Sequence, residues 1–120
     1  MLTTDSENDI IKSEETVGIT DKCVIANEKI ERFCLLPGAK HSEDFFGVGY
    51  RPDDRILLIN DILDGFDMTK AVDAAVSPEN VRKFSIFMYL GVSRKKRFRT
   101  VWQQDTPHSI SRFITAYRED

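Results

Sequence analysis

Residues 81–118 read VRKFSIFMYLGVSRKKRFRTVWQQDTPHSISRFITAYR, and this stretch decides the fold. Phe84, Ile86, Met88 and Leu90 alternate with Ser85, Phe87 and Tyr89, a period of two that predicts a strand buried on at least one face. Gly91 to Lys96 (GVSRKK) reads as a basic connection. Arg97 to Gln103 sets Phe98, Thr100 and Trp102 against Arg97, Arg99 and Val101, which predicts a second strand. Asp105-Thr106-Pro107-His108 is a turn, and Ile110 to Tyr117 makes a third strand. Strand alternation has a consequence for chemistry. Thr100 and Trp102 share a face that Arg99 does not, and Arg112 opposes Thr115 and Tyr117 unless a bulge or strong twist intervenes.

Upstream the apolar spacing is helical. From Ala26 to Leu36, Ile30, Phe33 and Cys34 recur at helix spacing, with Asn27 as N-cap and Pro37-Gly38 as the stop. Ser42 starts a second short helix whose Glu43 and Asp44 suit the positive end of the helix dipole. Asp53 or Asp54 caps a third helix, Arg55 to Leu63, with Ile56, Leu57, Ile59, Ile62 and Leu63 as its buried stripe and Gly65 as its C′ residue. Asp67 to Ala75 reads as a further short helix, and Ser77 to Asn80 as a turn. Helices first and strands afterwards predict an α+β fold: N-terminal short helices packed on a C-terminal antiparallel β-sheet. Residues 1–22, polar and acidic, read as a flexible lead-in, and residues 23–120 as the domain.

At 120 residues the chain is the size of one domain, and 41% hydrophobic side chains suffice for a core. Nothing resembles a membrane span or a secretory signal. Cys23 and Cys34 cannot build a disulfide framework, and with only His41 and His108 beside them no metal site or other cofactor is expected. Charge is strongly divided. Residues 1–80 hold 8 Lys and Arg against 17 Asp and Glu, whereas residues 81–120 hold 9 against 3. The late cations interleave with aromatics, as a surface that tracks phosphates and stacks bases requires.

Phosphate-loop, G-x-S-x-G, H-E-x-x-H and paired C-x-x-C motifs are all absent. Metal-independent RNA cleavage needs none of them, because the substrate's own 2′-hydroxyl is the nucleophile. The protein supplies a base, an acid and cations for the phosphorane charge. His41, next to Lys40 and before a helix start, is the candidate general acid or base. Arg99 and Arg112 are candidates to hold the phosphate. Thr100 or Thr115 would donate to a non-bridging oxygen, and Tyr117 would donate or stack. Trp102 would stack a base, and Lys95, Lys96 and Arg97 would bind the substrate backbone.

The order Phe33-Cys34-Leu35-Leu36-Pro37, Lys40-His41-Ser42-Glu43-Asp44-Phe45-Phe46, Arg99-Thr100-Val101-Trp102 and Arg112-Phe113-Ile114-Thr115-Ala116-Tyr117 carries a likeness. Over about residues 26–118 it resembles the C-terminal nuclease domains of bacterial contact-dependent growth inhibition and other polymorphic toxins, within the barnase–EndoU–colicin–RelE group of ribonucleases. The resemblance implies a barnase/RelE-like fold and a toxin that cuts RNA, commonly tRNA, in a competing cell. It further implies delivery into the target cytoplasm as the C-terminal part of a larger secreted or cell-surface protein. The partners it implies are RNA, a cognate immunity protein and, as an open point, a host activating factor. Two alternatives remain beside it: a non-catalytic binding module such as an immunity protein, and a nucleic-acid-binding regulator.

Overall fold

The computed structural model describes residues 16–19 and 22–119. In chain order the elements are β1 (Thr16–Ile19), β2 (Cys23–Ala26), α1 (Asn27–Ile30, continued by a π-helical turn, Glu31–Leu35), α2 (Ser42–Phe46) and α3 (Arg55–Gly65). A 3₁₀ turn at Met68–Lys70 leads into β3 (Val72–Val76), β4 (Arg82–Leu90), β5 (Lys96–Gln104) and β6 (Ser111–Arg118). All six strands form one sheet in the order β1-β2-β6-β5-β4-β3. The fold is α+β, with the short helices lying against one face of that sheet. The sheet is mixed rather than antiparallel throughout, because β2 runs parallel to β6 at Cys23↔Ser111 and Val24↔Arg112. Of the polar lead-in, Thr16–Ile19 pairs with β2 and residues 1–15, 20 and 21 lie outside the described residues.

The period-two pattern of β4 and β5 becomes a long antiparallel pair in register Phe84↔Trp102, Ile86↔Thr100 and Met88↔Phe98. Those six side chains are all buried and form the sheet's contribution to the core. Against them pack Ile30, Cys34 and Leu35 of the first helix, Phe45 of α2, and Leu58, Ile59 and Ile62 of α3. Burying each large apolar side chain is worth about 1.5–3 kcal/mol. Aromatic edges lock the layer: Trp102 meets Phe66 at 4.6 Å and Phe113 at 5.5 Å, and Phe45 meets Phe98 at 4.8 Å between ring centroids.

A bulge in β6 governs the other face. Val101 pairs with Thr115 but Trp102 pairs with Phe113, so Ile114 is the extra residue. The inserted residue shifts the alternation by one. Phe113 and Ala116 both reach the core, while Arg112, Thr115 and Tyr117 pair with Gln103, Val101 and Arg99 and share the outer face. A regular strand would have split them.

Several local expectations are corrected. Asn27 is the first helical residue and not the cap, which falls on Ala26 without a side-chain bond. Ser42 opens α2 as expected, but its hydroxyl turns back to donate to the Ala39 carbonyl and makes no cap bond. In α3 the buried residues are Leu58, Ile59 and Ile62, whereas Ile56 and Leu57 are 50% and 42% exposed. The helix touches the core along one narrow face only, and its apolar residues exceed that face. Gly65 is the last helical residue rather than C′, packed against Met88. The segment expected as a helix from Asp67 instead gives one 3₁₀ turn, capped by the Asp67 carboxylate on the Thr69 amide, and then the exposed edge strand β3. Among the described residues no helix is long and apolar enough to cross a membrane.

Candidate functional site

Pairing across β4, β5 and β6 stacks the outer-face side chains in rows: Lys83, Gln103 and Arg112; Ser85, Val101 and Thr115; Phe87, Arg99 and Tyr117; Tyr89 and Arg97. Arg99 occupies the centre of the third row. Its guanidinium lies over Phe87 at 4.5 Å. Its Nη1 donates to Asp73 Oδ2 at 2.7 Å and to Ser85 Oγ at 3.0 Å, and Nε and Nη2 donate to the Glu119 carboxylate at 3.1 and 2.8 Å. The two carboxylates, Glu119 first and Asp73 second, hold the Arg99 pKa above its already high value, and Arg99 in turn draws Glu119 below the usual carboxylate range. Arg97 also lies over Phe87, at 4.3 Å, and its Nε donates to the Glu119 carbonyl.

His41 reaches this face through a gap in the sheet. Strand β2 pairs with β6 at Ser111 and Arg112, and among the described residues no strand flanks the later part of β6 on that side. α2 closes the gap. The Arg118 amide donates to Asp44 Oδ2 at 3.1 Å, and this bond sets the helix so that the His41 ring stacks on Tyr117, with centroids 5.2 Å apart and planes 30° from parallel. Burial and the neighbouring Lys40 lower the His41 pKa, and Asp44 opposes them. Lys40 is exposed beside it. Tyr117 therefore joins two groups: the imidazole stacks on its ring, and Arg99 is its partner across the ladder.

The sequence-derived candidates divide cleanly. His41, Arg99, Thr115 and Tyr117 are brought to one region of the outer face, and Lys40 is exposed beside His41 in the chain. Thr100 and Trp102 are not, and their assignment to the site is corrected. Both are wholly buried on the core face; the Thr100 hydroxyl donates to the Ile86 carbonyl at 2.7 Å and accepts from Trp102 Nε1 at 2.8 Å. Neither can meet a substrate. Arg112 shares the face but lies four strand steps, about 13 Å, from Tyr117. There it grips Asp105 through Nε and Nη2 at 2.9 and 3.0 Å, and the pair holds Asp105 down to about 2. Lys95, Lys96 and Arg97 lie at the opposite end, around Tyr89. His108 is exposed in the turn before β6.

Sequence reasoning missed Ser85, Phe87, Asp73 and Glu119. The first two were legible, since they alternate with Phe84, Ile86 and Met88 and so face the same way as Arg99. Asp73 carries no such signal: it sits at φ 54° where the β3 register shifts, and only that bulge turns it towards Arg99. Glu119 follows the last strand and reaches Arg99 after the chain has left the sheet.

Chemically, the face combines a partly buried imidazole whose pKa is lowered from the ordinary histidine value, a phenol, a hydroxyl at Thr115 and a guanidinium fixed by its neighbours. Such a set can move a proton and oppose a developing negative charge. Among the described residues no three His, Cys, Asp or Glu side chains gather as metal ligands do. Comparison of the chain with protein-family models, with curated proteins and with solved structures found no match in any of the three.

Proposed function

We propose that this chain is a metal-independent endoribonuclease of the toxin type, with tRNA as the favoured substrate and a cognate immunity protein as its inhibitor. The observation that carries the reading is the stacking of His41 on Tyr117 beside Arg99, on an open sheet face rich in cations and aromatics. In the reaction, His41 takes the proton of the substrate 2′-hydroxyl, whose oxygen attacks the adjacent phosphorus. The bond to the 5′-oxygen breaks, and that oxygen takes a proton from solvent water and leaves as a hydroxyl. A 2′,3′-cyclic phosphate remains, and the His41 imidazolium returns its proton to solvent. Arg99 and Lys40 oppose the phosphorane charge, and Thr115 or Tyr117 donates to a non-bridging oxygen. Proton transfer by a placed group is worth ~10²–10⁴-fold and a preorganised donor ~10²–10³-fold.

The test is total RNA from cells induced for this chain, run on a denaturing gel beside a His41→Ala control. Discrete tRNA fragments that vanish in the control are the expected result. Fragments in both lanes remove His41 from the site, and intact RNA in healthy cells removes the activity.

A second reading, a non-catalytic binding module of the immunity type, is favoured by one feature: two of the outer-face arginines already hold carboxylates, Arg99 those of Asp73 and Glu119 and Arg112 that of Asp105. Expression separates the two, because a module without catalysis is harmless to bacteria that lack its partner.

A further inference from the structure

At the end of the outer face away from Arg112, Tyr89 stands out. It is 66% exposed, the most exposed large hydrophobic or aromatic side chain among the described residues, although it belongs to the central hairpin. Two facts leave its ring uncovered. Strand β3 begins its pairing with β4 at Val72↔Ser85, so among the described residues no strand flanks β4 on that side at Tyr89. Arg97, directly across the ladder from Tyr89, places its guanidinium on Phe87 instead. The phenol makes no hydrogen bond among the described residues.

Cations collect on one side of this ring. Tyr89, Lys95, Lys96 and Arg97 line a shallow depression, and neither lysine has an ion pair among the described residues. The adjoining depression, which shares Tyr89 and Lys95, sets Asp61 and Asp64 against Lys70 and Lys95, so its charges balance and a polyanion is favoured on the first side, where no carboxylate lines the wall. Lys95 ends a constrained connection, in which the Val92 and Ser93 amides both donate to the Val48 carbonyl, at 2.8 and 3.0 Å, and Lys96 opens β5. Tyr89 lies two residues along β4 from Phe87, hence about 7 Å from the row that holds Arg99 and Tyr117.

We propose that Tyr89, Lys95, Lys96 and Arg97 form a nucleotide subsite for single-stranded RNA, adjoining the cleavage site. A base stacks on the open Tyr89 ring, and the flanking phosphates lie on Lys95 and Lys96. The subsite rests on the ribonuclease reading for its substrate, and it explains why an aromatic ring is presented to solvent beside Lys95 and Lys96. Any base offers a π-face, so the contact gives affinity and register rather than strong base choice.

The test is fluorescence anisotropy of a short labelled single-stranded RNA on the full chain carrying His41→Ala, over a salt series. Against that parent, Tyr89→Ala weakens binding about 5- to 150-fold with the salt slope unchanged, and Tyr89→Phe restores most of the affinity. Replacing both lysines (Lys95→Gln with Lys96→Gln) lowers the salt slope by about 0.7 for each lost phosphate contact. RNA binding that Tyr89→Ala leaves untouched overturns the subsite. Cleavage of the same RNA by the unsubstituted chain is scored separately: cleavage with no Tyr89 effect keeps the ribonuclease and rejects the subsite, whereas a Tyr89 effect without cleavage does the reverse. A parent that binds no RNA at low salt overturns both.

Discussion

Thr100→Val separates the buried face from the reactive one. The substitution keeps shape and removes the hydroxyl that donates to the Ile86 carbonyl and accepts from Trp102 Nε1, at a residue with no exposed surface. No water reaches the orphaned indole N–H. An unsatisfied buried donor costs about 1–3 kcal/mol, so the variant loses about 2 kcal/mol. With a urea m value of about 1–3 kcal/mol/M, the unfolding midpoint falls by about 1 M. Thr100→Ser keeps the hydroxyl, loses only a methyl, and falls by about half as much. Trp102 is the only tryptophan, so its fluorescence follows unfolding at the altered position itself. Cleavage per folded molecule, measured without denaturant, stays at the parent rate in both variants. A Thr100→Val protein as stable as the parent would refute the buried network. Loss of cleavage at an unchanged midpoint would return Thr100 to the substrate.

Other outcomes follow from the outer face and its hairpin. As a base His41 acts when neutral, so cleavage rises with pH through its pKa, with a midpoint below the ordinary histidine value of about 6.5. In pH–rate profiles Lys40→Gln raises that midpoint, because it removes a neighbouring positive charge. Asp44→Asn lowers it further while keeping an oxygen for the Arg118 amide. Arg99→Ala reduces kcat by ~10²–10³-fold, and Arg99→Lys recovers little because a point charge cannot reproduce the fork; steady-state kinetics on folded protein check both. Gly91→Ala destabilises by at least about 1–3 kcal/mol in urea unfolding. A Cβ there would collide with the Arg94 backbone, and φ at Gly91 is 155°.

The hairpin and β6 were legible because burial on one face imprints a period of two on Phe84 to Leu90 and on Phe98 to Trp102. β3 was not, since all five of its residues are exposed and no periodicity marks VDAAV. The brief parallel contact of β2 with β6 involves only Cys23 and Val24, too few residues to leave a pattern. Within the site, alternation alone separated Thr100 and Trp102 from Arg99. The extra residue at Ile114 then reunites Arg112 with Thr115 and Tyr117, and nothing in the local sequence distinguishes Ile114 from an ordinary strand residue. His41 meets Tyr117 through a bond between Asp44 and the Arg118 amide, 74 residues apart, a relation only the folded chain defines.

The central claim is that this face cleaves RNA through the substrate's own 2′-hydroxyl. Its most direct measurement is the end chemistry of fragments made by the purified chain from tRNA in the presence of a chelator. The account predicts 2′,3′-cyclic phosphate ends that form with excess chelator and disappear with His41→Ala. Fragments ending in a 3′-hydroxyl, cleavage abolished by the chelator, or tRNA left intact would contradict it.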